Sequence, residues 1–307
     1  MGVGVRRITS DDRGEMEALK GFVSTVEIEH GHPLLSDAVR LLLDDPAAGD
    51  SVMAVVAEGP TSVAGCAILG VANGARVVEV VAPHEHDLAP RADLISDLLE
   101  SAASITAPHE RLIWWCRDHE PWADAVASRS GLIEDRRLLQ MRIKLDETTV
   151  SHLRKAVVPT RPFTPTTDDT AWLELNNRAF AGHGEQGAWS SADLRRRMSA
   201  SWFDPSGFLL HPIEGQPIAF CWTKIHPADS HGPAMGEIYV IAVDPDHAGR
   251  GLGRSLTCSG LVHLADIGLA YGMLYVDSTN SAAVALYQSI GMVTHHVDRA
   301  FLVPRSP

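Results

Sequence analysis

Apolar and polar residues alternate between residues 236 and 243, which predicts a β-strand. One face of this strand is expected to carry Ile238, Val240 and Ala242, and the other Glu237, Tyr239, Ile241 and Val243. The dipeptide Asp244-Pro245 ends the strand, since proline has no N–H group for the ladder. A glycine-rich turn follows, and apolar positions then recur at helical spacing over residues 255–266. The segment is therefore predicted to fold as strand, glycine loop and helix.

The same patterns along the whole chain predict elements whose order occurs twice. In the first half the predicted strands are 5–8, 51–57, 63–72, 76–81, 112–116 and 138–145, and the predicted helices are 13–27, 33–43, 91–103 and 121–128. In the second half the predicted strands are 161–163, 207–211, 217–225, 236–243, 273–277 and 297–303, and the predicted helices are 169–180, 190–198, 255–266 and 282–289. Strands that alternate with helices, with hairpins among them, predict an α/β fold with a mixed, mostly antiparallel sheet in each half.

Short motifs align the two halves. Val81-Ala82-Pro83 matches Val243-Asp244-Pro245, and Ser130-Gly131-Leu132 matches Ile290-Gly291-Met292. A repeat of this length is far above solenoid periods and indicates a duplicated domain. We therefore expect an N-terminal domain over residues 1–150, a linker over 151–160 and a C-terminal domain over 161–307.

Composition limits the classes of function. The chain has 307 residues and a formal charge of -13, which argues against nucleic acid or an anionic membrane as a general partner. The four cysteines have no C-x-x-C spacing, and the N-terminus has no apolar segment of the kind found in signal peptides. The histidines form no metal-binding motif, so no metal is expected. A cytoplasmic monomer with free thiols is the prediction.

The loop after the strand has the features of a phosphate site. Glycines let backbone N–H groups approach a phosphate, and the following helix N-terminus adds positive potential. A P-loop would need Gly-x-x-x-x-Gly-Lys-Ser/Thr, which is absent, and G-R-G-L-G-R does not fit the dinucleotide fingerprint. Residues 248–253 instead resemble the pyrophosphate loop of the GNAT acetyltransferases, with Ala248 where Gln or Arg is usual. The plain alternative is an ordinary strand-to-helix turn with surface arginines.

The first half differs at the corresponding place. It has Glu85-His86-Asp87-Leu88-Ala89-Pro90-Arg91 there, without a glycine and with two acids where a pyrophosphate would lie. The N-terminal domain is therefore predicted to have lost this phosphate site. Its expected role is structural, or to wall one side of the acceptor site.

Further motifs resemble those of the mycothiol synthase family. They are Asn176 to Phe180, His183 to Trp189, Trp202 to Pro205, Trp222 to His226, Gly236 to Val240, and Leu274 to Asp277 followed by Asn280. The resemblance is good over residues 160 to 303, whereas the first half matches in length and element order. It implies a tandem-GNAT enzyme of actinobacteria that moves acetyl from acetyl-CoA to the cysteinyl amine of cysteinyl-glucosaminyl-inositol, the last step of mycothiol synthesis.

The resemblance and the local pattern together give candidate residues. Glu237 is the candidate general base and Tyr287 the candidate acid for the departing thiolate. The expected acetyl-CoA contacts are Ile241, Ala242, Val243, Ala248, Gly249, Arg250, Gly251, Leu252, Gly253, Arg254, Asn280, Ala282 and Ala283. The expected acceptor contacts, implied by the resemblance, are Asp37, Glu185, Lys224, Glu237 and Tyr275.

Two other functions stay open from the residues alone. The chain could acetylate another amine, such as an aminoglycoside or a protein N-terminus. It could also be a non-catalytic acetyl-CoA-binding module, which Ala248 and the altered loop of the first half would allow. The presence of both Glu237 and Tyr287 argues against the non-catalytic module.

Overall fold

The computed structural model describes residues 4–9, 11–30, 33–45, 48–60, 62–72, 75–83, 88–117, 121–182, 187–228 and 232–304. Contacts divide the chain into two units, residues 1–137 with 297–307 and residues 138–296. Residues 138–150 thus group with the second unit and 297–307 with the first. The domain boundary expected at residues 151–160 stays a prediction.

The first unit is a sheet with helices against it. Its strands are β1 (Gly4–Thr9), β2 (Val52–Glu58), β3 (Val63–Ala72), β4 (Ala75–Val81) and β5 (Leu112–Cys116), and its helices are α1 (Arg13–His30), α2 (Asp37–Asp44), α3 (Leu88–Ile105) and α4 (Pro121–Arg129). Neighbouring strands are antiparallel except β4 and β5, which are parallel. Buried residues of α3 and α4, among them Ile95 and Val126, form one core with Trp114 and Phe301.

The second unit has the same plan. Strands β6 (Ile133–Lys144) and β12 (Val293–Leu302) each have residues in both units, and the other strands are β7 (Arg161–Pro162), β8 (Phe208–Ile213), β9 (Gln216–His226), β10 (Met235–Val243) and β11 (Tyr271–Asp277). The helices are α5 (Glu147–Leu153), α6 (Asp169–Ala179), α7 (Ser191–Met198), α8 (Leu252–Asp266) and α9 (Ser281–Ser289). Within this unit the strand order is β6-β11-β10-β9-β8-β7, in which β10 and β11 are the parallel pair.

Two cores cover the two faces of this second sheet. On one face α5, α8 and α9 pack through residues such as Leu153, Leu261 and Tyr287. On the other face α6 and α7 pack through Trp172 and Leu194. The sheet is therefore buried on both sides, and polar side chains on it must be placed against specific partners.

Most predicted elements lie where the patterns put them, but several begin at other residues; β6, for example, starts at Ile133 rather than at residue 138, and β12 at Val293 rather than at 297. α2 starts at Asp37 rather than at residue 33, because the Ser36 side chain caps the helix by accepting from the Val39 N–H. α8 starts at Leu252, three residues early. α5 falls partly in the expected linker and begins after Asp146, whose carboxylate accepts from the Thr149 N–H.

No helix in the described part of the chain is long and apolar enough to cross a bilayer. All four cysteines are free and buried.

Candidate active site

The two parallel strands of the second unit separate toward their carboxyl ends. Their register runs from Gly236–Gly272 to Ile238–Leu274, whereas β10 continues to Val243 and β11 to Asp277. β10 still pairs with β9 as far as Val243. The β11-facing edge of Ile241, Ala242 and Val243 thus offers backbone groups to a ligand that lies between the strands. A peptide-like arm can add to such an edge in the manner of an extra strand.

A β-bulge at Tyr239 changes which side chains share a face. Ile238 pairs with Thr223 and Val240 with the next residue, Trp222, so Tyr239 is an extra residue in β10. Ile238, Ile241 and Val243 consequently pack in the core with α8, and Tyr239, Val240 and Ala242 pack in the core with α6. The expected alternation, which placed Ile238 with Val240 and Ala242, was wrong because strict alternation cannot include an extra residue.

The glycine loop follows β10 and leads directly into α8. Gly249 and Gly251 have φ angles of 75° and 80°, in the region that favours glycine, and no atom lies within 4 Å of where their Cβ atoms would be. Gly251 is the N-cap of α8 and offers no side chain to its first N–H groups. The N–H groups of Leu252, Gly253 and Arg254 therefore have no intrahelical acceptors and can bind an anion.

An ion pair anchors the start of the glycine loop. Asp244 is buried, pairs with Arg178 and accepts a hydrogen bond from the Asp246 N–H at 3.0 Å. Ala248 has an extended backbone and is exposed. The side chains of Arg250 and Arg254 are exposed as well, and Arg254 also contacts Ser289. The loop is thus anchored at its start by buried Asp244 and presents exposed, positively charged side chains, an arrangement that fits a pyrophosphate.

The other predicted cofactor residues lie at the start of α9. Asn280 is its N-cap and its side-chain oxygen accepts from the Ala283 N–H at 3.1 Å. Ala282 and Ala283 form the first turn, in which small side chains leave room for a ligand beside the helix. Since α9 directly follows β11, this turn lies at the carboxyl end of the same strand pair as the glycine loop.

Glu237 lies on the α6 face of β10, directly opposite Lys224 of β9. It is 6% exposed, and the His226 Nε2 donates to its Oε2 at 2.7 Å. Lys224 is also buried, with its Nζ 5.1 Å from the centre of the Trp202 ring and 5.9 Å from that of Tyr239. The structure therefore brings a carboxylate and an ammonium group together on one face, and adds His226, which the sequence analysis did not select.

Tyr287 lies on the opposite face, in the α8 core. Burial raises the pKa of its phenol to about 12, and the neighbouring Cys221 adds to this rise. Cys221 is the register partner of Ile241. The phenol is therefore close to the separated part of β10, whereas Glu237 approaches the same strand from the other face.

Tyr275 follows the same face of the sheet as Glu237. Met273 is the register partner of Glu237, and Tyr275 is two residues further along β11. Its hydroxyl accepts from the Gln140 Nε2 at 2.7 Å, and the Gln140 Oε1 accepts from the Arg142 Nε at 2.5 Å. Because a guanidinium can only donate, Arg142 fixes the orientation of the Gln140 amide. The sequence analysis did not select Gln140 and Arg142. The one sequence feature that could have indicated them is that polar residues alternate with apolar ones in this strand.

The equivalent place in the first unit is closed. β4 and β5 are paired from Arg76–Leu112 to Glu79–Trp115, within two residues of the end of β4 at Val81, whereas β10 and β11 stop pairing at Ile238, five residues before the end of β10. Glu79 lies at the last paired position of β4, is 1% exposed, and accepts from the Ser36 N–H at 2.6 Å and the Arg117 Nη2 at 3.1 Å. Continuous pairing and a buried ion pair thus occupy the position of the separated strands.

Two predicted acceptor contacts cannot be placed against this site. Glu185 lies outside the described residues. Asp37 starts α2 of the first unit and follows its N-cap Ser36. Their roles as acceptor contacts stay predictions.

The chain is similar to known acetyltransferases in sequence. A family model described as Acetyltransferase (GNAT) family matches residues 170–292. A mycothiol acetyltransferase of Parafrankia sp. is 36% identical over 314 residues, which cover 95% of this chain and 96% of that protein. One of Geodermatophilus obscurus is 40% identical over 274 residues, with 87% and 86% covered. One of Thermomonospora curvata is 46% identical over 196 residues, with 62% and 63% covered.

Solved structures agree on the fold. A GCN5-related N-acetyltransferase from Sphaerobacter thermophilus has a TM-score of 0.62 at 18% identity, with 99% of this chain and 96% of that chain covered. A tandem GNAT protein from the clavulanic acid biosynthesis pathway has a TM-score of 0.64 at 14% identity, with 99% and 100% covered. The predicted α/β fold with tandem GNAT domains is thereby confirmed. With relatives that match at 36% and 40% identity over most of both chains, this chain belongs to the mycothiol acetyltransferase family of GNAT proteins.

Proposed function

We propose that the protein transfers the acetyl group of acetyl-CoA to the cysteinyl amine of cysteinyl-glucosaminyl-inositol, which completes mycothiol. The observation that carries this proposal is the gap between β10 and β11, with Glu237 on one face and Tyr287 on the other. The family relationship supports the choice of acceptor. The four buried, free cysteines support a reducing, cytoplasmic location.

Acetyl-CoA binding is assigned to the second unit. Residues 241–243 would bind the pantetheine arm through their backbone, and the N–H groups of residues 249–254 would bind the pyrophosphate. Arg250 and Arg254 would add charge at the rim, and the Asn280 turn would close the other side. In the described part of the first unit the paired strands and the buried Glu79 leave no equivalent slot, so we propose one acetyl-CoA per chain.

The two ionisable groups would divide the chemistry. Glu237 would take the proton from the acceptor ammonium so that the nitrogen lone pair can attack the thioester carbonyl. Tyr287 would donate a hydrogen bond to the sulfur as the C–S bond breaks. The ammonium loses two protons in all: one passes through Glu237 and is released, and the other leaves the nitrogen as the tetrahedral intermediate collapses and ends on the sulfur. The products are therefore an amide, the thiol of CoA and one released proton. Lys224 and Tyr275 share the face of Glu237 and would bind the hydroxyls of the acceptor.

A comparison of amines tests the proposal. The purified protein is given acetyl-CoA with cysteinyl-glucosaminyl-inositol, free cysteine, glucosamine, an aminoglycoside or a peptide N-terminus, and CoA release and the acetylated product are both measured. We expect kcat/KM to be highest for cysteinyl-glucosaminyl-inositol by a large factor. Equal rates on simple amines would leave a general acetyltransferase, and acetyl-CoA binding without any product would leave a binding module.

A further inference from the structure

The carboxylate of Glu237 has an unusual setting for a general base. It is nearly buried, on a sheet that is covered on both faces, and a buried carboxylate needs hydrogen-bond donors in place of water. A general base must also keep one oxygen directed at the proton that it accepts. A neighbouring group must therefore donate to one oxygen and leave the other accessible.

His226 meets both requirements. Among the described residues it is the hydrogen-bond partner of the Glu237 side chain, through Oε2 at 2.7 Å, which leaves Oε1 for the acceptor amine. An ionised carboxylate can only accept, so the Nε2 must carry the hydrogen. The contact is a charge-assisted hydrogen bond, of the stronger kind.

Packing does not account for this histidine. It is the last residue of β9 and its side chain is 28% exposed, whereas that of Glu237 is 9% exposed. A strand-end residue that is partly in solvent has little core to fill, and its main recorded contact is with the carboxylate. The described titratable or charged groups on this face around Glu237 include His226 and Lys224 of β9, Tyr239 of β10, Tyr275 of β11, Arg142 of β6, and Arg197 of α7, which donates to the Tyr239 hydroxyl.

We propose that His226 is a positioning residue for Glu237: its N–H holds Oε2 and so turns Oε1 toward the acceptor amine. This inference rests on the proposed acetyltransferase function, because it assigns Glu237 as the base. The proposed role needs the N–H hydrogen of the imidazole and no positive charge on the ring. Another side chain with an N–H donor of similar reach can therefore replace His226.

Two substitutions at residue 226 separate the donor from the side-chain volume. His226→Leu removes the donor, and we expect kcat/KM for the best amine of the panel to fall roughly ten- to hundredfold, the scale of one charge-assisted hydrogen bond. The loss should fall mainly in kcat, since the amine can still bind but Oε1 is no longer directed at its proton. His226→Gln keeps a donor and should restore kcat to within about threefold. The KM for acetyl-CoA should change little in either.

The controls make a structural effect visible. His211, whose Nδ1 contacts the Pro159 carbonyl at 2.7 Å, lies on β8 away from Glu237, so His211→Leu should leave kcat and kcat/KM unchanged. In a Glu237→Gln background, His226→Leu should have no further effect. An unchanged kcat in His226→Leu, or a Gln that restores nothing, would overturn the proposal. A wild-type protein that acetylates no amine would instead refute the proposed function, and the inference with it.

Discussion

Replacement of Tyr287 by phenylalanine is the most informative change at the proposed site. The substitution keeps the ring that fills the α8 core and removes only the hydroxyl. Burial raises the pKa of that hydroxyl to about 12. A thiol has a reference pKa of about 8.5, so complete proton transfer from the phenol to a thiolate would be uphill by roughly 5 kcal/mol. In the proposed mechanism the buried phenol would therefore stabilise the departing sulfur mainly as a hydrogen-bond donor.

This reasoning sets the size of the effect. A hydrogen bond to a charged group contributes about 1.5–3 kcal/mol, which corresponds to a roughly 10- to 150-fold loss in kcat. Acetyl-CoA affinity should change little, because the sulfur carries its charge only as the bond breaks. Rates are measured by CoA release at saturating acetyl-CoA, and affinity by calorimetry. Tyr271→Phe, at a half-buried tyrosine at the start of β11, is the matched control.

The pH dependence offers a second check of Tyr287. Since its pKa is raised to about 12, the phenol remains protonated at ordinary alkaline pH and should cause no loss of rate below about pH 10. A kcat in Tyr287→Phe within twofold of the wild type would show that the hydroxyl has no role in the reaction. An alkaline decline below pH 10 that disappears in Tyr287→Phe would refute the assignment of its pKa.

Three further changes test the site and the two units. Gln140→Glu puts an acceptor where an amide donates, so the Tyr275 hydroxyl must turn its proton to residue 140, and the acceptor KM should rise about tenfold with that for acetyl-CoA unchanged. Arg117→Met removes the guanidinium that pairs with the buried carboxylates of Glu79 and Asp298, and it should lower the free energy of unfolding by about 3–5 kcal/mol in urea titrations. The control, Arg111→Met at an exposed ion pair, should lower it by less than about 1 kcal/mol. Hydrogen bonding from Arg161 lowers the pKa of Asp168, so its stabilisation is present above about pH 4 and is lost as the pH falls through the lowered value. Asp168→Asn should therefore cost about 1–2 kcal/mol at pH 7, and the cost should shrink as the pH falls through that value.

Local patterns predicted nearly all strands and helices, because most of these elements are fixed by alternation, helical spacing and capping residues. Ser190, for example, is followed three residues later by Asp193, and the structure has a full capping box there. The glycine loop was equally clear, since its two left-handed residues are both glycine. The sequence thus contained the cofactor side of the site almost completely.

The acceptor side depended on pairing across strands, which a single strand does not encode. The bulge at Tyr239 is visible only when β10 is set against β9. The same is true of His226 beside Glu237 and of Gln140 beside Tyr275, because each pair is far apart in sequence and close only through register. Residue types alone therefore gave the proposed base but not the histidine that is hydrogen-bonded to it.

The two units show why one copy of a duplicated sheet can keep a ligand slot while the other closes it. Separating two parallel strands leaves buried backbone N–H and C=O groups unpaired, which costs stability unless another group pairs with them. In the second unit an amide-bearing arm can supply those partners at Ile241, and the glycine loop can bind the phosphates of the same molecule. In the first unit no glycine loop follows β4, so an open gap there would lack the tight anchor that repays the cost. Continued pairing to Glu79, with its carboxylate bound to Ser36 and Arg117, is the stable alternative. Without the glycine loop an open gap has no ligand to pair its backbone, and with the strands paired a glycine loop would have no ligand to bind, so the two changes belong together.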